Sequence, residues 1–233
     1  MTEATAPDAA SGTSPTASRQ RLAVASVLGV AMILAWGSSF YLLAVLATPI
    51  AADTGWPLSW IVGALSIGFL VSGLVSPRVG RTIERRGGRP APAFGARFMS
   101  LGLFGLALAP SLPVYVAAWI VLGIGMGAGL YDPAMATLGR LYGQQARSAI
   151  TLVTLFGGLA STVCWPLSAF LVDAVGWRGT CAAYALIHLF VTLPLYLFGV
   201  PRELERHPAS SRKARKTPGS ALHRRRVLLA LAA

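Results

Sequence analysis

"GRTIERRGGR", residues 80–89, sets four arginines and a glutamate within ten residues, and on both sides of it the charges stop. The chain is uncharged from Thr54 to Pro77 before it and from Phe98 to Tyr131 after it. Further out, the same holds from Leu22 to Ala52, from Ser148 to Val172 and from Gly179 to Pro201. A membrane-crossing helix needs about 20 apolar residues, so each run is long enough for one. Of all 233 residues, 55% are hydrophobic and 12% charged, against about a quarter charged in soluble domains. The sequence therefore predicts an all-α integral membrane protein, because irregular backbone facing lipid would leave its polar groups unsatisfied.

The run from Phe98 to Tyr131 is interrupted by Pro110, Ser111 and Pro113, a turn signal that divides it into two helices. Six spans are expected, at 22–47, 56–77, 92–109, 113–139, 149–172 and 179–200, together a bundle over 22–200. Residues 1–21 read as a disordered cytoplasmic tail, rich in Ala, Ser, Thr and Pro. Residues 201–226 read as a basic cytoplasmic loop. With six spans, Arg19, Arg21, the arginines of 78–89, Arg140, Arg147 and the 202–226 segment fall on one side, and only Arg178 lies in a loop on the other. The positive-inside rule makes the first side the cytoplasm, with the N-terminus there, in a cell (inner) membrane. The net charge of +12 is then explained by topology and by anionic headgroups, and a nucleic-acid partner is not expected.

The loop after the second span resembles the signature of the major facilitator superfamily, in which Gly, three residues, Asp, a basic residue, any residue, Gly, any residue and a basic residue follow one another. Gly80, Arg85, Gly87 and Arg89 match, and Glu84 stands where the family usually has Asp. A tight turn needing glycine, with a carboxylate and guanidinium groups placed to pair, is the expected local structure. The resemblance implies a gating loop, a cytoplasmic latch made by these residues. It also implies a twelve-helix fold of two halves, each a 3+3 inverted repeat. Within this chain "ERRGGR", 84–89, is echoed by "DAVGWR", 173–178, after the second and the fifth span, as an inverted repeat requires. Residues 227–233, "VLLALAA", read as the start of a truncated seventh helix. The expectation is thus an N-terminal half, with the C-terminal half missing or supplied by a second chain.

Asp132 is the only carboxylate inside the expected spans, and intramembrane acids default to functional hypotheses. Two roles stay open: proton coupling, or a gating pair with the signature loop, as the resemblance implies for an acid near the cytoplasmic end of helix 4. Arg85 and Arg89 are the expected partners, with Arg97 as an alternative. Pro133 removes a backbone hydrogen bond and is expected to kink the helix one turn up. His188 reads as a neutral histidine bonded to a neighbouring helix, with a proton relay as the other reading.

Helix 1 lines the transport cavity in the resembled family, which turns attention to "AWGSSFY", 35–41. Trp36, Ser38 and Tyr41, with Tyr131 and Trp165, are the expected substrate-binding residues. Trp36 and Phe40 are four apart and share a helix face. Few polar groups on an apolar wall suit a small-molecule solute at the bilayer midplane. The alternative is that the serines bond back to carbonyls of their own helix and the aromatics fill interhelical space.

The family often has an arginine in helix 4 where this chain has Trp119, and the glycine pattern of drug antiporters is lacking around Pro166. No metal helix, Walker loop or nucleophile elbow occurs, and Ser161 or Ser168 with His188 lacks any protease signature. Cys164 and Cys181 read as small packers. No cofactor, metal or enzyme activity is expected. The expectation is a secondary transporter moving a small solute by alternating access, with protons as a candidate coupling ion. The alternative is a non-transporting six-helix membrane protein acting as an assembly partner.

Overall fold

The structure is a computed structural model that describes residues 15–86 and 88–201. Among the described residues every regular element is helical: α1 (Pro15–Gly37), α2 (Phe40–Thr54), α3 (Leu58–Arg86), α4 (Pro90–Leu108), α5 (Leu112–Gly129), α6 (Tyr131–Tyr142), α7 (Arg147–Gly158), α8 (Ala160–Ile187) and α9 (Leu193–Gly199). Among the described residues, four stretches are long and apolar enough to cross a membrane, namely Ser18–Thr54, Leu58–Arg85, Pro90–Leu108 and Leu112–Gly199.

The last of these is not one rod. Ser168 Oγ and Tyr184 Oη are 2.8 Å apart, whereas sixteen residues of unbroken helix rise about 24 Å. The chain must double back between them. It does so at Gly176, whose φ of 69° and ψ of 176° interrupt α8 in a region that only glycine enters readily. A second glycine with positive φ, Gly143 at 53°, ends α6 and starts a short 3-10 turn into α7.

Several expected boundaries shift. α1 begins at Pro15, inside the stretch expected to be a tail, and proline is suited to a first helical turn. The first span is interrupted at Ser38–Ser39. The fourth is interrupted at Leu130, whose φ of −86° and ψ of −157° are extended. Pro133, three residues on, cannot supply the N–H for the Gly129 carbonyl, and its ring would crowd that oxygen, so the break falls one turn before it. α3 runs through the signature segment to Arg86. Gly80 is therefore inside a helix and not in a tight turn, and it is not among the positive-φ glycines. A helix satisfies its own backbone, so it can leave the apolar layer without a turn.

α4 packs on α5 and α8, α5 also on α3, and α1 on α7. The α4–α5 contact is close because glycines face it. A methyl group on Gly102 would lie 2.7 Å from Leu122 Cα, and one on Gly125 would lie 2.5 Å from the Met99 amide nitrogen. One apolar cluster gathers Leu46, Ile61, Leu103, Trp119, Leu122 and Tyr184, and another Leu28, Met32, Leu138, Val153 and Tyr196. Large apolar side chains such as Leu70, Leu74, Leu108, Phe170, Phe190 and Phe198 point outward, as lipid contact demands.

Candidate functional site

A cavity of about 770 Å³ opens between α2 and α8, lined by Tyr41, Ala44, Val45, Ser161, Thr162, Trp165, Pro166 and Ala169. The helical period explains the set. Tyr41, Ala44 and Val45 are three and four apart on α2, and Ser161, Thr162, Trp165, Pro166 and Ala169 make the matching stripe on α8. Pro166 has no N–H to give the Thr162 carbonyl, so backbone polarity adds to three hydroxyls and an indole on an otherwise apolar wall. Neither Ser161, weighed above only as a protease serine, nor Thr162 was expected in a solute site, although they sit one turn before Trp165 and Pro166.

Of the five residues expected to bind solute, Tyr41 and Trp165 come together in this cavity. Trp36 and Tyr131 meet each other instead, with ring centroids 5.5 Å apart. Phe40 links them to the cavity, edge-on to Trp36 at 6.0 Å and to Tyr41 at 5.1 Å. Ser38 lies elsewhere: its side chain is fully buried and bonds Leu34 O and His188 Nε2, each at 2.7 Å. Ser39 Oγ donates to Ala35 O at 2.6 Å. Both serines thus serve carbonyls of their own helix, and His188 is bonded to a neighbouring helix.

The signature segment is held by the end of α6. Arg140 Nη1 donates to the Glu84 carbonyl, and Thr137 Oγ1 lies 3.2 Å from the Gly88 carbonyl and 2.7 Å from Pro133 O, so its one proton is shared between the two acceptors. Arg85 is exposed, Arg89 is half-buried with an unpartnered Nε, and Gly87 lies outside the described residues. Asp132 does not pair with Arg85, Arg89 or Arg97. Its Oδ2 accepts from Ser76 Oγ at 2.8 Å, because the break at Leu130 turns the first residues of α6 toward α3. Thr137 and Arg140 were not singled out from the sequence: a threonine and an arginine near a helix end carry no pattern of their own.

At the opposite end of α4 the echoed motif has its own anchors. Trp177 Nε1 donates to Asp53 Oδ2 at 2.9 Å. Arg178 Nη1 donates to Ala107 O and Ala109 O at 3.0 and 2.8 Å, and its guanidinium lies 4.2 Å from the Trp177 ring centre. Trp119, where the family often has arginine, is fully buried against Gly68 and Tyr115. Cys164 and Cys181 are buried and unbridged.

The sequence model described as "Major Facilitator Superfamily" matches residues 15–233. The chain belongs to the major facilitator superfamily. It is a multi-pass membrane protein of a transporter family and not an enzyme. Monocarboxylate transporter 11 of Mus musculus is 32% identical over 173 residues, 69% of this chain and 36% of the relative. The Homo sapiens protein of the same name is 31% identical over 169 residues, 69% and 34% respectively. Monocarboxylate transporter 13 of Bos taurus is 31% identical over 134 residues, 57% and 30%. The chain spans about a third of the length of these relatives. The all-helical bundle with its long apolar stretches is consistent with that membership.

Proposed function

We propose that this chain provides one half of a secondary transporter, with the cavity between α2 and α8 as one wall of its solute site. The carrying observation is that cavity: a family of transporters, and a concave wall of Tyr41, Ser161, Thr162 and Trp165 set in apolar residues. In this proposal six crossings place the N-terminus in the cytoplasm of an inner membrane. The reversal at Gly176 and the two motif copies at opposite ends of α4 support a 3+3 inverted repeat. A second six-helix unit, on the same polypeptide or another, closes the cavity. Alternating access moves the solute between the two faces, and the segment Gly80, Glu84, Arg85, Gly87, Arg89 is the latch, gripped by Thr137 and Arg140.

The relatives' names suggest a monocarboxylate as the solute class to test first. The cavity side chains here are uncharged, so this wall offers hydrogen bonds to a carboxylate and the counter-charge comes from the facing unit. The test is uptake of a panel of monocarboxylates by the intact gene product in proteoliposomes, with and without a pH gradient. Saturable uptake weakened about tenfold in affinity by Tyr41→Ala or Trp165→Ala supports the assignment. Uptake indifferent to both substitutions overturns the site, and a gradient without effect removes protons as the coupling ion.

A further inference from the structure

Two irregular places in the bundle meet at a single hydrogen bond. One is the interruption between α1 and α2, where Ser39 has φ −119° and ψ −86°. The other is the stretch His188–Thr192, which winds as a π-helix, a rare form that concentrates at functional positions. Ser38 Oγ lies 2.7 Å from Leu34 O and 2.7 Å from His188 Nε2. A hydroxyl has one proton, and a carbonyl can only accept. The hydroxyl therefore donates to Leu34, and His188 donates from Nε2. That bond leaves His188 Nδ1 without a partner, and Thr192 Oγ1, four residues on, also has none. Both side chains are buried, at 0% and 1% exposure, where unmade hydrogen bonds are costly. The π-turn thus holds His188 on Ser38 while leaving two polar atoms of its own unsatisfied.

What the bond holds is the seam that carries the aromatic wall. Trp36 lies in the last turn of α1, Phe40 and Tyr41 open α2, and Tyr41 lines the cavity. On the α8 side, Cys164 abuts Gly37, and its Sγ points at Ile33 O at 3.6 Å. Cys164 thus bears on the seam from α8, and on the His188 side the Ser38 hydrogen bond is the polar tie.

We propose that Ser38 and His188 are positioning residues: their hydrogen bond holds the break in the first span so that Tyr41 faces the cavity and Trp36 packs on Tyr131. This rests on the proposed function only for what the cavity is used for; the geometry can be tested without a solute. The probe is a water-soluble maleimide reacting with Ala44→Cys in membrane vesicles, the parent chain with its buried Cys164 and Cys181 serving as background. Ser38→Ala and His188→Leu should each change the labelling rate about fivefold, in the same direction, the population shift that loss of one buried hydrogen bond produces. The double substitution should go no further than either alone, as expected for one shared interaction. His188→Gln, whose amide can donate from near the Nε2 position, should restore the rate to within about twofold. An unchanged rate in Ser38→Ala, which removes a single oxygen, overturns the proposal even if His188→Leu fails to insert. So does His188→Gln behaving like His188→Leu. Absence of uptake by the intact gene product would count against the transport assignment and leave the labelling result standing.

Discussion

Trp177 donates its indole N–H to the carboxylate of Asp53 at 2.9 Å, tying the turn opened by Gly176 to the end of α2. The adjacent Arg178 serves the last carbonyls of α4 and lies over the Trp177 ring. A helix end leaves its final carbonyls without intrahelical partners, and a guanidinium there answers both that need and the helix dipole. Arg178→Ala should lower stability by about 2 kcal/mol, the loss of two charge-assisted bonds at a partly screened site. Trp177→Phe keeps the ring and loses one N–H, so it should cost roughly half as much. Thermal unfolding of the detergent-solubilised chain checks the order; Trp177→Phe as harmful as Arg178→Ala would contradict it.

The close approach of α4 and α5 gives a second expectation. Gly102→Ala places a methyl group against the Leu122 backbone, and neither rod can yield locally, so a loss of about 2 kcal/mol is expected. Gly63→Ala and Gly73→Ala, on α3, meet nothing within 4 Å, and alanine favours a helix by up to ~1 kcal/mol. Melting temperatures should fall for the first and hold or rise for the other two.

Asp132 accepts from Ser76 and is exposed. Asp132→Asn keeps an acceptor in that place and removes the charge, so stability should change by less than ~0.5 kcal/mol. In the proposed gating role the maximal uptake rate falls while the pH profile of uptake keeps its shape. A flattened profile would instead make Asp132 the proton site.

The latch makes a fourth. A methyl group on Gly80 meets nothing within 4 Å, so Gly80→Ala should leave the fold of this chain intact. Uptake should still drop at least about tenfold if a second unit packs on that face. Thr137→Val removes the hydroxyl that bonds Gly88 O at nearly constant volume. It should free the segment, seen as faster proteolysis between Arg85 and Arg89.

Much of the architecture was legible because lipid imposes a coarse constraint. Charges cannot be spread through apolar rods, so the uncharged runs and the arginine-rich segments between them announce helices and connections. The breaks were less legible. Pro133 signalled the one at Leu130, but nothing in "GSSF" distinguishes a continuous helix from an interrupted one; that choice depends on what Ser38 and Ser39 bond. Tyr41 and Trp165 were found by their chemistry, whereas Ser161 and Thr162 needed the cavity to show which stripe of α8 faces α2.

By itself, then, the order of residues determined that this is a helical membrane protein of the major facilitator superfamily, since hydropathy and a spaced set of glycines and charges are properties of the chain alone. Only the tertiary structure decided who pairs with whom. It gave Asp132 to Ser76 and not to Arg85, Arg89 or Arg97, Ser38 to His188 and not to the cavity, and the signature segment to Thr137 and Arg140. Hydrogen bonds reach only about 3 Å, so partners distant in sequence become definite once the packing of helices sets which faces touch.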